Sequence, residues 1–143
     1  MMTMPSRAVP SLHADTSLIA AGCWALGGPA INGGKHVGWA PIDDADADAV
    51  LQAAWGAGIT LFDTADVYGN GLSERRLGRL VRQVPRDRII LVSKVGYACA
   101  DGHLHPYDPS SMRRRLEDTL TRLGTDHLDV YAYHNDDFGP GDQ

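Results

Sequence analysis

Two cysteines in 143 residues are too few for a disulfide scaffold, and Cys23 and Cys99 stand too far apart for a CxxC pair. They read as the reduced thiols of a cytoplasmic protein. The longest nearly apolar stretch, Leu18 to Leu26, is about half the ~20 residues that a membrane helix needs. Asp15 just ahead of it and Trp24 within it argue against a signal peptide. Basic charge is scarce as well. A net charge of −5 and a sequence pI near 5.5 leave no basic face for a general nucleic-acid binder. Arg113-Arg114-Arg115 is the one basic cluster, and Glu117 and Asp118 follow it, so it reads as a solvated helix face. P-loop, GxSxG and zinc-finger patterns are absent, and residues 22–28 (GCWALGG) do not match GxGxxG. His103-x-His105 with Asp101 and Asp108 lacks a fourth well-spaced ligand on a rigid element, so no metal site is expected.

The remainder is an ordinary globular composition, 43% hydrophobic and 22% charged. Sixteen glycines sit mainly at element ends and point to many tight turns. Residues 1–17 show no sustained period and read as an irregular amino-terminal segment, with the remaining domain spanning 18–143. Residues 18–23 read as a short buried strand, and 29–42 as a loop by their Gly and Pro content. A helix begins at Asp43 or Asp44, with Ala47, Val50, Leu51 and Ala54 at helical spacing before Gly56 and Gly58. Residues 59–63 form a strand. A second helix starts near Ser73, carries Leu77, Leu80 and Val81 on one face and stops before Pro85. Residues 88–94 are a continuous apolar strand of the kind found in covered parallel sheets. After a loop over 96–109, Asp108-Pro109 opens a third helix, with Met112, Leu116, Leu120 and Leu123 inward and Gly124 as its stop. Residues 128–134 are the last strand. The order β-α-β-α-β-α-β predicts right-handed crossovers and a parallel sheet, either doubly wound or a (β/α) barrel.

Three successive strands end in an ionisable residue: Asp63, Lys94 and His134. The period of two places each at the end of an apolar row, so all three converge at the carboxyl end of a parallel sheet. That end is where barrel enzymes build their sites. A lysine beside a carboxylate stays charged, and a charged lysine beside a phenol stabilises the phenolate. Tyr68, in the glycine-rich loop DTADVYGNG five residues after Asp63, is the candidate phenol. It would deliver a proton to a carbonyl oxygen, with His134 orienting that carbonyl or sharing the proton.

These residues stand in recognisable company. GCWALGG follows the first strand and FDTADVYG the second. Ser73-Glu74 with Leu77-Gly78, then VSKVG at 92–96, LGTDHLD at 123–129 and finally His134 complete the pattern. The chain resembles the aldo-keto reductase superfamily from about residue 18 to 137. The resemblance implies an α/β fold of the parallel (β/α) barrel type, about the first four βα units of a (β/α)8 barrel. It implies NADPH-dependent reduction of aldehydes or ketones to alcohols by hydride transfer, with NADH left open. Tyr68 would be the proton donor, Lys94 would activate it, Asp63 would pair with Lys94, and His134 would position the substrate carbonyl. Trp24 would line the substrate pocket, and Gly22, Cys23 and Asp63 would lie against the cofactor.

A (β/α)8 barrel takes about 250 residues, and this sequence supplies about half the strands. The expectation is therefore a truncated or fragmentary form, and the family's main contacts to the nicotinamide amide, pyrophosphate and adenosine phosphate, which lie in the later half of the barrel, are not assigned to residues of this sequence. The family's hairpin across the barrel floor is not evident in residues 1–17. Open first and fourth strands would favour self-association. Two alternatives stand beside the reductase. One is a non-catalytic half-barrel relic or assembly module. The other is a barrel lyase using Lys94 as a Schiff-base nucleophile, which pairing with Asp63 disfavours.

Overall fold

A computed structural model describes residues 4–12, 14–32, 34–97 and 105–136. Its central feature is a parallel sheet of four strands, β3 (Ala21–Gly22), β6 (Leu61–Asp63), β7 (Ile90–Val95) and β8 (Val130–Tyr133), side by side in that order. Helices α1 (Asp44–Gly56), α2 (Leu72–Val81) and α3 (Pro109–Leu123) make the crossovers. The parallel sheet is what the alternating pattern predicts, and the partial (β/α) barrel is what the resemblance implies.

The helix ends follow local chemistry. The Asp43 carboxylate accepts the Asp46 N–H at 2.8 Å and caps α1. Gly124 ends α3 in the left-handed region at φ 70°. Phe62, Leu77, Leu80, Ile89, Leu91 and Leu123 are buried between sheet and helices, with Ala47 and Leu51 from α1. Val50, expected to share that face, is exposed. Gly78 lets α2 and α3 approach, since a Cβ there would stand 2.5 Å from the Arg122 carbonyl oxygen.

Three expectations are corrected. Residues 1–17 are not irregular throughout: β1 (Ser6–Val9) and β2 (Ala14–Ser17) form an antiparallel hairpin, paired from Ser6↔Ser17 to Val9↔Ala14. The Ser17 N–H donates to Thr60 Oγ1 at 2.9 Å, and the Thr60 N–H returns a bond to Ser17 Oγ at 3.0 Å. These bonds fasten the hairpin to the amino end of β6, opposite Asp63. The stretch 18–23 is strand only at Ala21–Gly22, and Leu18 and Ile19 are exposed. The loop expected at 29–42 contains a second antiparallel hairpin, β4 (Pro29–Asn32) with β5 (Lys35–Gly38). Among the described residues no helix is long and apolar enough to cross a membrane. Cys99, Asp101 and His103 lie outside the described residues.

Candidate active site

The parallel register brings Asp63, Lys94 and His134 to one end of the sheet. Asp63 closes β6, Lys94 is the second-last residue of β7, and His134 follows β8, where its N–H still donates to the Val95 carbonyl at 2.8 Å. Lys94 Nζ donates to Asp63 Oδ1 at 2.6 Å, to the Thr64 carbonyl at 2.9 Å and to the Tyr68 hydroxyl oxygen at 3.3 Å. The ammonium also lies 4.9 Å from the centroid of the Tyr68 ring, within cation–π range. The Lys94 side chain is mostly buried, so its charge rests on these partners instead of water.

Backbone chemistry places Tyr68. Gly69, Asn70 and Gly71 all have positive φ (59°, 51° and 84°), which folds the segment after Tyr68 back on itself. The Ser73 N–H donates to the Tyr68 carbonyl at 3.2 Å. Ser73 Oγ in turn bonds the Cys23 carbonyl at 2.7 Å and Thr64 Oγ1 at 2.9 Å, tying the ends of β3 and β6 to the start of α2. The turn after β3 then packs directly on the Tyr68 loop. A Cβ on Gly27 would lie 2.7 Å from the Gly69 nitrogen, and one on Gly69 would collide with the Gly27 carbonyl.

A cavity of about 230 Å³ opens over these groups. Tyr68 and His134 form its polar part; Trp24, Val67 and Tyr97 form walls; the β4–β5 hairpin adds Asn32 and Val37. The Tyr68 and His134 rings meet edge to face, with centroids 5.4 Å apart. Trp24 lies 6.0 Å from Tyr68 and packs edge to face on Trp39 at 5.7 Å. His134 Nδ1 is buried without a hydrogen-bond partner among the described residues. Burial, and then the Lys94 ammonium, hold the His134 pKa below its ordinary value, so the ring is neutral around neutral pH.

The three residues expected beside a cofactor differ in what they offer. Gly22 is exposed, and nothing lies within 4 Å of where its Cβ would be. Asp63 is partly exposed at the strand end. Cys23 is buried, with its thiol directed at the Ala21 carbonyl at 3.6 Å. Burial, aided by the Asp63 charge, raises the Cys23 thiol pKa to about 12, which keeps it protonated and inert. Its N–H donates to the Asp63 carbonyl, and its own carbonyl accepts from Ser73 and Leu26. The open space at Gly22, next to its register partner Asp63, leaves room for a flat ring against these two strand ends. Among the described residues no three His, Cys, Asp or Glu side chains gather as a metal site. His105 and Asp108 are engaged in the turn before α3, where the His105 N–H donates to Asp108 Oδ2 at 3.0 Å.

Sequence reasoning missed the polar supports behind the site. Arg76 is buried and donates to the Leu26 carbonyl (2.6 Å), the Ile42 carbonyl (2.8 Å) and Asp44 Oδ1 (2.8 Å), which pins the Gly22–Gly28 turn to α1. Glu74 is fully buried and accepts from Ser93 (2.7 Å), Thr119 (2.9 Å) and Arg122 (2.5 Å). Arg115 does not lie on a wholly solvated face: it is paired with the buried Asp66 at 2.7 Å. A buried carboxylate demands such partners, but the sequence shows only charged residues at helical spacing.

Comparison with known proteins matches residues 19–139 to the model of the Aldo/keto reductase family. Aldo-keto reductase YhdN of Bacillus subtilis (strain 168) is 32% identical over 122 residues, covering 84% of this chain and 34% of that protein. The structure of glycerol dehydrogenase AKR11B4 from Gluconobacter oxydans superposes with a TM-score of 0.72 at 30% identity, covering 97% of this chain and 42% of the other. An aldo-keto reductase from Klebsiella pneumoniae, solved in complex with NADPH, gives a TM-score of 0.67 at 30% identity over 92% of this chain and 40% of its own. The chain thus spans less than half the length of these relatives.

Proposed function

The chain belongs to the aldo/keto reductase family, and from that premise we propose that it carries the proton-delivering half of an NADPH-dependent carbonyl reductase. The observation that carries this reading is the contact of Lys94 Nζ with both Asp63 Oδ1 and the Tyr68 hydroxyl. Such a phenol faces the cavity and can give its proton to a carbonyl oxygen. The Lys94 ammonium stabilises the negative charge that grows on the phenol oxygen as the proton leaves. Asp63 holds that ammonium in place through the 2.6 Å ion pair.

His134, neutral and unpartnered at Nδ1 among the described residues, supplies ring nitrogens to orient the carbonyl beside Tyr68. Trp24 and Tyr97 enclose the organic part of the substrate and displace water from the cavity. Gly22 and Asp63 would hold the nicotinamide, with Cys23 supporting that floor from beneath. When bound, reduced nicotinamide supplies the hydride that turns the carbonyl carbon into that of an alcohol. The NADPH bound in the Klebsiella relative supports this choice of cofactor. The same ion pair disfavours a Schiff-base lyase, since an ammonium held by a carboxylate is a poor nucleophile.

The test is NADPH oxidation by a completed barrel that contains this chain, with a panel of aldehydes and ketones, read beside its Tyr68→Phe variant. The phenylalanine keeps the ring and removes the proton, and turnover falls by about 10²–10⁴-fold. Equal rates for the two proteins would refute the reading.

A further inference from the structure

Two connections at the carboxyl end of the sheet carry the walls of the cavity, and one side chain reaches both. Asp66 lies two residues before Tyr68, and Tyr97 lies three residues after Lys94. Arg115, from α3, holds Asp66 Oδ2 with Nε and Nη2 at 2.7 Å. Its Nη1 donates to the Tyr97 carbonyl, also at 2.7 Å. Both charged side chains are nearly sealed from water, and Asp66 Oδ1 has no partner among the described residues. The Asp66 carboxylate therefore depends on this guanidinium for its charge balance.

Beyond the Tyr97 carbonyl, the Tyr97 ring stands edge to face on His134 with centroids 4.8 Å apart. Tyr68 meets the same imidazole edge to face at 5.4 Å. Gly96, between Val95 and Tyr97, has φ 155°, and a Cβ there would press on the Tyr107 hydroxyl and stand 3.2 Å from the His134 Cβ. The chain thus passes His134 closely before it reaches the Arg115 bond.

We infer that Arg115 is a positioning residue. By holding the Asp66 carboxylate and the Tyr97 carbonyl on one guanidinium, it sets the Tyr97 ring against His134 and fixes that wall relative to the Tyr68 loop. The inference rests on the proposed roles of Tyr68 and His134. It requires the planar fork of an arginine, because a lysine offers a point charge that can neutralise Asp66 without reaching both acceptors in the same geometry.

The experiment is an NMR titration of the His134 imidazole in the purified protein, assigned with His134→Gln, in the absence of cofactor and substrate. The charged and titratable groups facing this ring are Lys94 and Asp63 from the strands, Arg115 from α3, and the Tyr68 and Tyr97 phenols. Tyr97→Ala admits water, so the His134 midpoint rises toward that of a free histidine and its ring-proton shifts change. Tyr97→Phe keeps the ring and leaves both unchanged. Arg115→Lys preserves the charge, yet moves the His134 signals in the same direction as Tyr97→Ala. The double variant moves them no further than Tyr97→Ala alone. If Arg115→Lys does not fold, Asp66→Asn runs the same cycle, since it removes the charge that orients the guanidinium. The inference is overturned if the Arg115 or Asp66 variant leaves His134 as in the wild type, or if its effect adds in full to that of Tyr97→Ala. Because no turnover is measured, failure here is distinct from failure of the reductase reading, which the Tyr68→Phe rates decide.

Discussion

His134 shows how one side chain can be legible in position and hidden in state. Its place at the end of a strand follows from the alternation Val130, Ala132, His134. Its protonation follows from burial and from the Lys94 ammonium, which only the folded register brings near. Both disfavour the imidazolium in the folded protein, so on acidification the unfolded chain takes up this proton first. Stability contributed at this position is therefore full above the ordinary histidine value of 6.5 and declines as pH falls below it. Urea titrations between pH 8 and 5 should show the wild type losing stability relative to His134→Gln as the solution becomes acidic. Parallel curves for the two proteins would contradict a neutral, desolvated imidazole. The Asp63–Lys94 pair is likewise readable from strand ends, whereas the Asp66–Arg115 pair is not. Arg115 sits in a run of three arginines, and nothing in that run distinguishes the one that turns inward.

The β4–β5 hairpin is hidden by composition, because Pro29, Gly34 and Gly38 suggest a loop. Its sequence signal is Gly33-Gly34, two residues between the runs that carry Ile31 and Val37, and Gly-Gly is among the dipeptides favoured in two-residue hairpin turns. The β1–β2 hairpin has no comparable signal, and its order comes from the bonds between Ser17 and Thr60. The Tyr68 loop belongs with these elements, because its shape depends on residues in positive φ and on the turn that packs against it. Gly69→Ala forces a side chain into φ 59° and into the Gly27 carbonyl. Such strain costs about 1–3 kcal/mol. Thermal unfolding should report that loss, together with a drop in turnover as Tyr68 is displaced. Full activity and unchanged stability would show that this loop does not need the close approach.

Alternation of strands and helices makes the parallel sheet legible, and the partial barrel agrees with it because each helix returns the chain to a neighbouring parallel strand. What the pattern leaves out is how the units are joined. Glu74 of α2 binds Ser93 of β7 and both Thr119 and Arg122 of α3, so one buried carboxylate links two successive βα units. That network accounts for the burial of Thr119 on α3, while Met112, Leu116 and Leu120, expected inward, are only half-buried. Glu74→Ala strands the Arg122 charge and two hydroxyls, at a cost of about 3 kcal/mol. Glu74→Gln retains acceptors for the hydroxyls and costs less. Urea unfolding of the three proteins should give the order wild type, Gln, Ala. Equal midpoints would remove Glu74 as the joint between these units.

Asp63 and Tyr68, Lys94, and His134 come from three separate stretches of the chain and gather at one rim, and the account stands on Lys94 and Tyr68 acting there as a unit. A double-variant cycle on kcat/KM for NADPH-dependent carbonyl reduction reads this coupling. Tyr68→Phe and Lys94→Met should each lower kcat/KM by about 10²–10⁴-fold, and the pair together should lower it little further. Losses that multiply, or a Tyr68→Phe protein as fast as the wild type, would contradict it.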